Sequence, residues 1–299
     1  MDRRLWALPL LWSLLSPAFA LQDAGKAYEL KLKRQPTPGY KTEMTDSTSI
    51  KLKMVIQSGG QVLNQVEQVD EHSFAAVETV VKVDGDKVTE ARWAFSKATR
   101  TSEGKTVPCG FEGKTVLVKS AGKKREFTYE DGQKIEGDDY EVIKKAFLEG
   151  DDEKGGPSGE ELFAPKKPVK IGESWSIPMK EMIEAMFDKD MAEAADLEKS
   201  KGGFTLKSIR QASGTDFGAI EGGFEIVLGQ LGPIKLDKPL VMKTAIRLDC
   251  CVTGKLPDGD AQLKMEMKGT SMADGPNGAK LTIDADMTAK VAVVKKTVK

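Results

Sequence analysis

Strict alternation of apolar and polar residues in the C-terminal part of this sequence limits what the chain can fold into. One side of a predicted strand carries Leu240, Met242, Thr244, Ile246, Leu248 and Cys250. The same spacing recurs at the end of the chain, at Leu281, Ile283, Ala285, Met287, Ala289, Val291 and Val293. A period of two belongs to β-strands, whose successive side chains point to opposite faces of a sheet. Shorter runs of this kind start at Tyr28 and Ile50.

Short glycine turns separate these runs, among them Gly59-Gly60, Asp131-Gly132 and Asn277-Gly278. Asp-Gly and Asn-Gly pairs supply the positive φ angles that tight hairpins need. Strands joined by such short turns must be antiparallel, because parallel neighbours need a long crossover. We therefore predict a mainly β fold with antiparallel, half-barrel or sandwich-like sheets.

Two helices are expected between the strands. Asp138-Asp139 would begin a short helix that ends before Gly150. The second follows Pro178 and has apolar residues at helical spacing; it is expected to run to about Lys201, where Gly202-Gly203 would end it. The segment 149–161 is acidic and rich in glycine, which predicts a linker between β-rich halves at 21–148 and 162–299.

The first twenty residues predict a signal peptide. A basic start, an apolar run from Leu5 to Leu15 and small residues at Ala18 and Ala20 precede the expected cleavage before Leu21. The apolar run is shorter than the ~20 residues that span a bilayer. The chain is thus expected to be exported, to the periplasm or the extracellular medium, with no transmembrane segment in its mature part.

Composition narrows the classes of partner and cofactor. The 45 Lys and Arg residues nearly balance the 46 Asp and Glu residues, so no electrostatic attraction to nucleic acid is expected. Three cysteines and one histidine make a poor set of zinc ligands, and we predict no metal or other cofactor. An exported chain can form a disulfide, here between Cys109 and either Cys250 or Cys251, and one thiol would be left over.

No catalytic residue is predicted. The two Glu-Gly-Lys-Thr strings at 103–106 and 112–115 lack the upstream glycine of a phosphate-binding loop and are expected to be strand turns. The single histidine, His72, lies in a polar run, Asp70–Ser73, that predicts a turn rather than part of a catalytic triad. Acidic groups at 84/86, 138/139, 151–153 and 258/260 do not have the spacing of a calcium-binding loop.

The apolar face of the second predicted helix has two interpretations. Its residues are Met179, Met182, Ile183, Met186 and Phe187. As a seam, this face would pack in the core. As a lid, it would line a cavity for an apolar ligand, because methionine side chains adapt to varied shapes. The second interpretation makes a lipid or another apolar small molecule the expected partner, and the sequence indicates no particular protein partner.

The string from Leu162 to Trp175 predicts an extended chain braced by prolines, then a glycine turn and a tryptophan docked on the core. It resembles a motif of uncharacterised exported bacterial β-rich proteins, Pro-x-Lys-Pro-Val-Lys-(Val/Ile)-Gly-(Asp/Glu)-Ser-Trp. Those proteins also carry a hairpin around a Gly-Lys-Thr-Val segment, like Gly113–Val116 here. This chain has Phe163-Ala164 where they tend to have leucine before the first proline. The resemblance implies an exported β-rich protein without a known catalytic residue.

These observations together predict an exported, non-enzymatic β-rich protein that binds an apolar ligand or a component of the cell envelope. The alternative is a secreted hydrolase that uses carboxylates. That activity would need two Asp or Glu side chains converging in one cleft.

Overall fold

A computed structural model of the chain describes residues 25–85, 87–102, 104–121, 124–148, 159–187, 189–212, 214–275 and 278–298. The predicted signal peptide and residues 149–158 of the predicted linker lie outside these ranges. The strands of the N-terminal half are β1 (Ala27–Tyr28), β2 (Lys41–Ser58), β3 (Gln61–Asp84), β4 (Lys87–Ser102), β5 (Lys105–Pro108), β6 (Thr115–Ala121) and β7 (Lys124–Tyr129). The strands of the C-terminal half are β8 (Val169–Lys170), β9 (Ser174–Ser176), β10 (Lys201–Ala212), β11 (Thr215–Leu231), β12 (Ile234–Cys251), β13 (Gly259–Asp274) and β14 (Lys280–Thr297). The helices are α1 (Gly137–Leu148), α2 (Gly159–Phe163), α3 (Met179–Met186) and α4 (Lys189–Ala194).

One antiparallel sheet contains twelve of these strands, in the order β7-β6-β4-β3-β2-β14-β13-β12-β11-β10-β9, with β5 paired to β4. The prediction of a mainly β, antiparallel fold is confirmed. The two halves meet where β14 pairs with β2, from Leu281 opposite Ser58 to Thr297 opposite Thr42. The halves are therefore parts of a single sheet, and β1 and β8 form a separate two-stranded sheet.

Glycine turns connect the strands where the sequence predicts them. Gly59 and Gly60 have φ angles of 57° and 83° in the turn between β2 and β3. Gly104 and Gly113 belong to the two Gly-Lys-Thr strings, and both have a φ of 73°. These strings are strand turns, as predicted.

Two apolar clusters form the core, and the larger one also includes Tyr28 and Leu30 from the N-terminal half. The C-terminal cluster joins β10 and β11 to helix α3, and its fully buried members include Phe204, Leu206, Ile220, Met182 and Ile183. The N-terminal cluster joins β3, β4 and β7 to helix α1, and its members include Phe74, Phe95, Phe111, Phe127 and Ile143. Removal of these side chains from water is the main favourable contribution to folding.

The first predicted helix is present as α1, whereas the prediction of one long second helix is wrong. Helix α3 ends at Met186 because Phe187 is extended, with φ −121° and ψ 159°. Gly202 and Gly203 lie in β10 and do not end a helix. A Cβ atom on Gly203 would stand 2.6 Å from the carbonyl oxygen of Trp175, so glycine allows β9 to approach β10. Within the described ranges, no helix is both long and apolar enough to cross a bilayer.

The segment from Leu162 to Trp175 docks on the C-terminal cluster. Gly172 makes its turn with a φ of 84°. The indole nitrogen of Trp175 donates a 2.9 Å hydrogen bond to the carbonyl oxygen of Phe163. Both aromatic rings pack against the C-terminal cluster. The glycine turn and the tryptophan of this motif therefore hold β9 against β10.

A substitution at Gly223 tests how closely β11 and β12 approach each other. A Cβ atom there would stand 1.8 Å from the carbonyl oxygen of Thr244. Gly223→Ala should therefore lower the free energy of unfolding by about 2 kcal/mol or more. Gly229→Ala in the same strand is the control, because its Cβ would meet nothing within 4 Å. Urea unfolding measures both variants, and equal losses of stability would contradict the close approach.

Candidate functional site

Strand β3 extends well beyond β4, its neighbour on one side. β4 pairs with β3 only from His72 onward, where Arg100 lies opposite. On the other side, β2 pairs with β3 from Gln61 to Thr79. In the described part of the chain, no strand pairs with the free side of residues 61–69, which we call the open edge. All the residues of the open edge are exposed.

The hydrogen bonds between β3 and β2 show which backbone N–H and C=O groups of β3 already have a partner. The N–H of Val80 donates to the carbonyl oxygen of Tyr40, which precedes β2. From there the register of β2 and β3 continues without a shift as far as Asn64. The direction of bonding alternates along an antiparallel strand. Even-numbered residues from Asn64 to Val80 therefore bond to β2.

Odd-numbered residues from Gln65 to Thr79 direct their backbone groups to the other side. The carbonyl oxygens of Ser73 and Ala75 accept hydrogen bonds from side chains of β4, in agreement with this assignment. Along the open edge, the N–H and C=O groups of Gln65, Glu67 and Val69 consequently point away from β2 and towards solvent. They are arranged as they would be for pairing with a further strand.

Four aliphatic side chains of the open edge are exposed. The exposed fractions are 56% for Val62, 59% for Leu63, 36% for Val66 and 49% for Val69. The β2–β3 register shifts between Asn64 and Val62, so Leu63 is the extra residue of a bulge. Exposed apolar side chains beside an unpaired strand edge are typical of a surface that binds another polypeptide.

Glu71 closes one end of the open edge. One carboxylate oxygen accepts a hydrogen bond from Ser49 Oγ at 3.0 Å and lies 3.1 Å from Lys51 Nζ. The other accepts from Thr101 Oγ1 at 3.1 Å. The hydrogen bond from Lys51, with those from Ser49 and Thr101, holds the pKa of Glu71 below its usual value. The Glu71 carboxylate thus ties β2, β3 and β4 together beside the point where β4 begins to pair.

A polar pocket of about 270 Å³ lies at the same end of the open edge. Its lining includes Val69 and His72 of β3, Arg100 of β4, and Asp138 and Glu141 of α1. The guanidinium of Arg100 donates to Asp138 at 2.9 Å, which joins β4 to the first turn of α1. A strand added along the open edge would end at this pocket.

The prediction of a turn at Asp70–Ser73 is wrong, because these residues continue strand β3. The imidazole of His72 stacks on Phe74, with ring centroids 4.9 Å apart. Its Nε2 lies 3.3 Å from Oδ1 of Asp46, and its Nδ1 lies 3.9 Å from Oδ1 of Asp70. Both ring nitrogens face carboxylates and not a serine hydroxyl. The contact between His72 and Asp46 therefore holds β3 against β2.

Acidic residues singled out in the sequence have structural contacts. Asp139 accepts a 2.9 Å hydrogen bond from the backbone N–H of Gly110. Asp258 accepts from the backbone N–H of Thr297 at 3.0 Å and so anchors the end of β14. The acidic group at 151–153 lies outside the described residues. Among the residues that are described, no group of three or more His, Cys, Asp and Glu side chains is placed to hold a metal ion.

The structure places the apolar face of the second predicted helix in the core. Met182 and Ile183 are 0% and 1% exposed, and Met179 and Phe187 pack against the same cluster. The side chain of Met186 lies outside the description. Neither the polar pocket nor a second pocket beside residues 31–35 is lined by this helix. The face is positioned as a packing seam.

None of the three cysteines is part of a disulfide in the structure. Cys109 lies in the N-terminal cluster, whereas Cys250 packs against the C-terminal cluster. The disulfide that the sequence allows, between Cys109 and either Cys250 or Cys251, is absent from the structure. Burial, with a further contribution from Asp139, raises the pKa of the Cys109 thiol to about 11. Cys109 is consequently protonated at neutral pH and unreactive.

Comparison with models of protein families gives no match, and comparison with curated proteins gives none either. Among solved structures, the chain is similar to OmpF of Salmonella typhi in complex with daunomycin, with 9% identity, a TM-score of 0.19, and 86% of this chain and 98% of that chain covered. It is similar to DynF from the dynemicin biosynthesis pathway of Micromonospora chersina, with 8% identity, a TM-score of 0.15, and coverage of 87% and 82%. It is also similar to OpdQ of Pseudomonas aeruginosa, with 7% identity, a TM-score of 0.16, and coverage of 87% and 98%. Similarities at this level say nothing about the ligand or activity of this chain.

Proline substitutions test the direction of the backbone groups in the open edge. Glu67→Pro removes an N–H that points to solvent, so the free energy of unfolding should change by less than about 1 kcal/mol. Gln68→Pro removes an N–H that bonds to β2 and leaves the partner carbonyl of β2 unsatisfied, so it should cost about 2 kcal/mol or more. Urea unfolding of the two variants measures the difference. A loss for Glu67→Pro as large as that for Gln68→Pro would contradict the assignment.

Proposed function

We propose that this chain is an exported, non-enzymatic protein that binds another polypeptide by strand addition at the open edge. The observation that carries the proposal is the run of exposed residues at 61–69, which presents outward backbone donors and acceptors together with four exposed aliphatic side chains. In strand addition, main-chain hydrogen bonds provide affinity, and alternate side chains provide specificity.

The composition of the open edge supports this function. Natural sheets usually protect an exposed edge with lysine, proline or inward-pointing charge, because an unprotected edge pairs with other chains. The open edge contains no lysine or proline, and Glu67 is its only charged residue. The bulge at Leu63 limits the region of regular pairing at one end. At the other end, the Glu71 carboxylate and the Arg100–Asp138 pair hold the neighbouring strands in place.

The strand-addition proposal depends neither on a catalytic pair of carboxylates nor on an apolar cavity. A hydrolase that uses two carboxylates would need them to converge in one cleft. Asp70, Asp138 and Glu141 line one pocket, where Asp138 accepts a hydrogen bond from Arg100 and Oδ1 of Asp70 lies 3.9 Å from Nδ1 of His72. A lipid carrier would need an apolar cavity, and the helix proposed to line one contributes Met182 and Ile183 to the core. A strand-binding function requires neither feature.

A photo-crosslinking amino acid in the open edge tests this proposal. It replaces Val69 in one variant and Leu197 in the control, whose side chain is 42% exposed outside the open edge. Each variant is exported in the native host and irradiated. We expect covalent polypeptide adducts at position 69 and few at position 197, because only the first position lies beside a paired partner strand.

Glu67→Pro in the Val69 variant makes the test specific to strand pairing. It removes one outward N–H, and the adduct yield should fall by about tenfold for the loss of one or two hydrogen bonds. Equal adduct yields at positions 69 and 197 would contradict the proposed function. So would a yield at position 69 that the proline leaves unchanged.

A further inference from the structure

The partner that best fits the open edge is a second copy of the same edge. We propose that two copies of this chain pair antiparallel through their open edges, about a two-fold axis at Val66. This inference rests on the strand-addition function proposed above and names its partner. It follows from the backbone directions and from the order of side chains along residues 64–68.

Two-fold symmetry leaves only a few registers. Outward-pointing residues of one strand must lie opposite outward-pointing residues of the other, because only these share hydrogen bonds. The sum of the two residue numbers in each pair is therefore even. The axis can then pass through Gln65, Val66, Glu67 or Gln68, and each choice fixes every other pair.

Three of these registers place mismatched side chains together. An axis at Glu67 sets two carboxylates directly opposite each other, which is destabilising. An axis at Gln65 places Val66 opposite Asn64 and Leu63 opposite Glu67. An axis at Gln68 places Glu67 opposite Val69. The axis at Glu67 thus places two negative charges together, and the axes at Gln65 and Gln68 place an aliphatic side chain opposite a polar one.

The axis at Val66 gives matched pairs throughout residues 64–68. Val66 meets Val66 of the second copy, Gln65 meets Glu67, and Asn64 meets Gln68. The pairs thus consist of an aliphatic contact at the centre, an amide beside a carboxylate, and an amide beside an amide. Because each pair other than the central one occurs twice, the complementarity is repeated on both sides of the axis.

The central pair also extends an apolar row that already crosses the sheet. Ala285 of β14 lies opposite Met54 of β2, and Met54 lies opposite Val66 of β3. Ala285 is buried, and Met54 packs against the C-terminal cluster. The row ends at Val66, which is 36% exposed. With the axis at Val66 it continues through the same residues of the second copy, and the exposed part of Val66 becomes covered.

The hydrogen bonds of this register follow from the backbone directions. Gln65 and Glu67 each direct an N–H and a C=O to the open side, so the two copies would share four hydrogen bonds between these residues. Val66 bonds to β2, and the two Val66 residues consequently form a non-hydrogen-bonded pair. The Cα atoms of such a pair lie about 4.5 Å apart, which is within the range that a disulfide can bridge.

Cysteine crosslinking tests both the partner and the register. Val66→Cys should form an intermolecular disulfide under mild oxidation, and most of the chain should run as a dimer on a non-reducing gel. Gln68→Cys is the matched control, because in this register residue 68 lies opposite residue 64 and far from its own copy. Gln68→Cys and the unsubstituted chain should remain monomeric on the same gel, which also controls for the native cysteines.

A charge at the axis provides a second measurement that needs no oxidation. Val66→Lys places two ammonium groups together and removes the apolar contact, so the dissociation constant of the dimer should rise about tenfold or more. Analytical ultracentrifugation measures the constant, and Met272→Lys, at a residue 49% exposed outside the open edge, should leave it unchanged.

The outcomes separate failure of this inference from failure of the proposed function. A chain that stays monomeric at all concentrations, while the photo-crosslinker at position 69 captures a different protein, would overturn the second copy as partner but keep strand addition. Disulfide formation by Gln68→Cys as efficient as by Val66→Cys would overturn the register. A monomer that also gives no adduct at position 69 would overturn both proposals.

Discussion

The pairing of β14 with β2 is the interaction on which the rest of the structure depends. It joins the last strand of the chain to the first long one and makes one sheet of the two halves. Because β14 supports β2 along its length, β2 can support β3 as far as the turn at Gly59 and Gly60. β4 stops pairing with β3 at His72, well before that turn. The open edge is the direct consequence of this difference in strand length.

Polar contacts at the end of the open edge keep it in an extended conformation. His72 lies between Asp46 and Asp70, and Glu71 accepts hydrogen bonds from the strands on both sides. A strand that is already extended loses little conformational entropy when another strand pairs with it, so more of the interaction free energy is available for binding. The same rigidity leaves the outward N–H and C=O groups exposed in the unbound chain. Their exposure makes the edge prone to association, and a matched partner restricts that association to one register.

Much of the fold could be predicted from the sequence, because alternation of apolar and polar residues and glycine turns are local signals. The end of the second helix could not be predicted. Phe187 continues the helical spacing of the apolar residues before it, yet its backbone is extended. Gly202 and Gly203, which follow it, lie where two strands approach each other closely, and that contact depends on the tertiary structure.

The candidate site was missed for the same reason. Residues 61–69 have the composition of an ordinary strand, and it is the length of β4 relative to β3 that leaves their outer side without a partner strand in the described ranges. His72 was assigned to a turn because its partners on a neighbouring strand are not visible in the local sequence.

Hydrogen exchange of the individual amides at residues 64–69 tests the central claim most directly. The measurement compares the purified chain at high dilution and at high concentration. We predict that the even-numbered amides are protected at both concentrations, because they bond to β2. The amides of Gln65 and Glu67 should exchange rapidly in the dilute chain and slowly in the concentrated one. Protection of Gln65 and Glu67 even at high dilution would show that the edge is covered within one chain, and rapid exchange at every concentration would show that no second copy pairs with it. Either result would contradict the account.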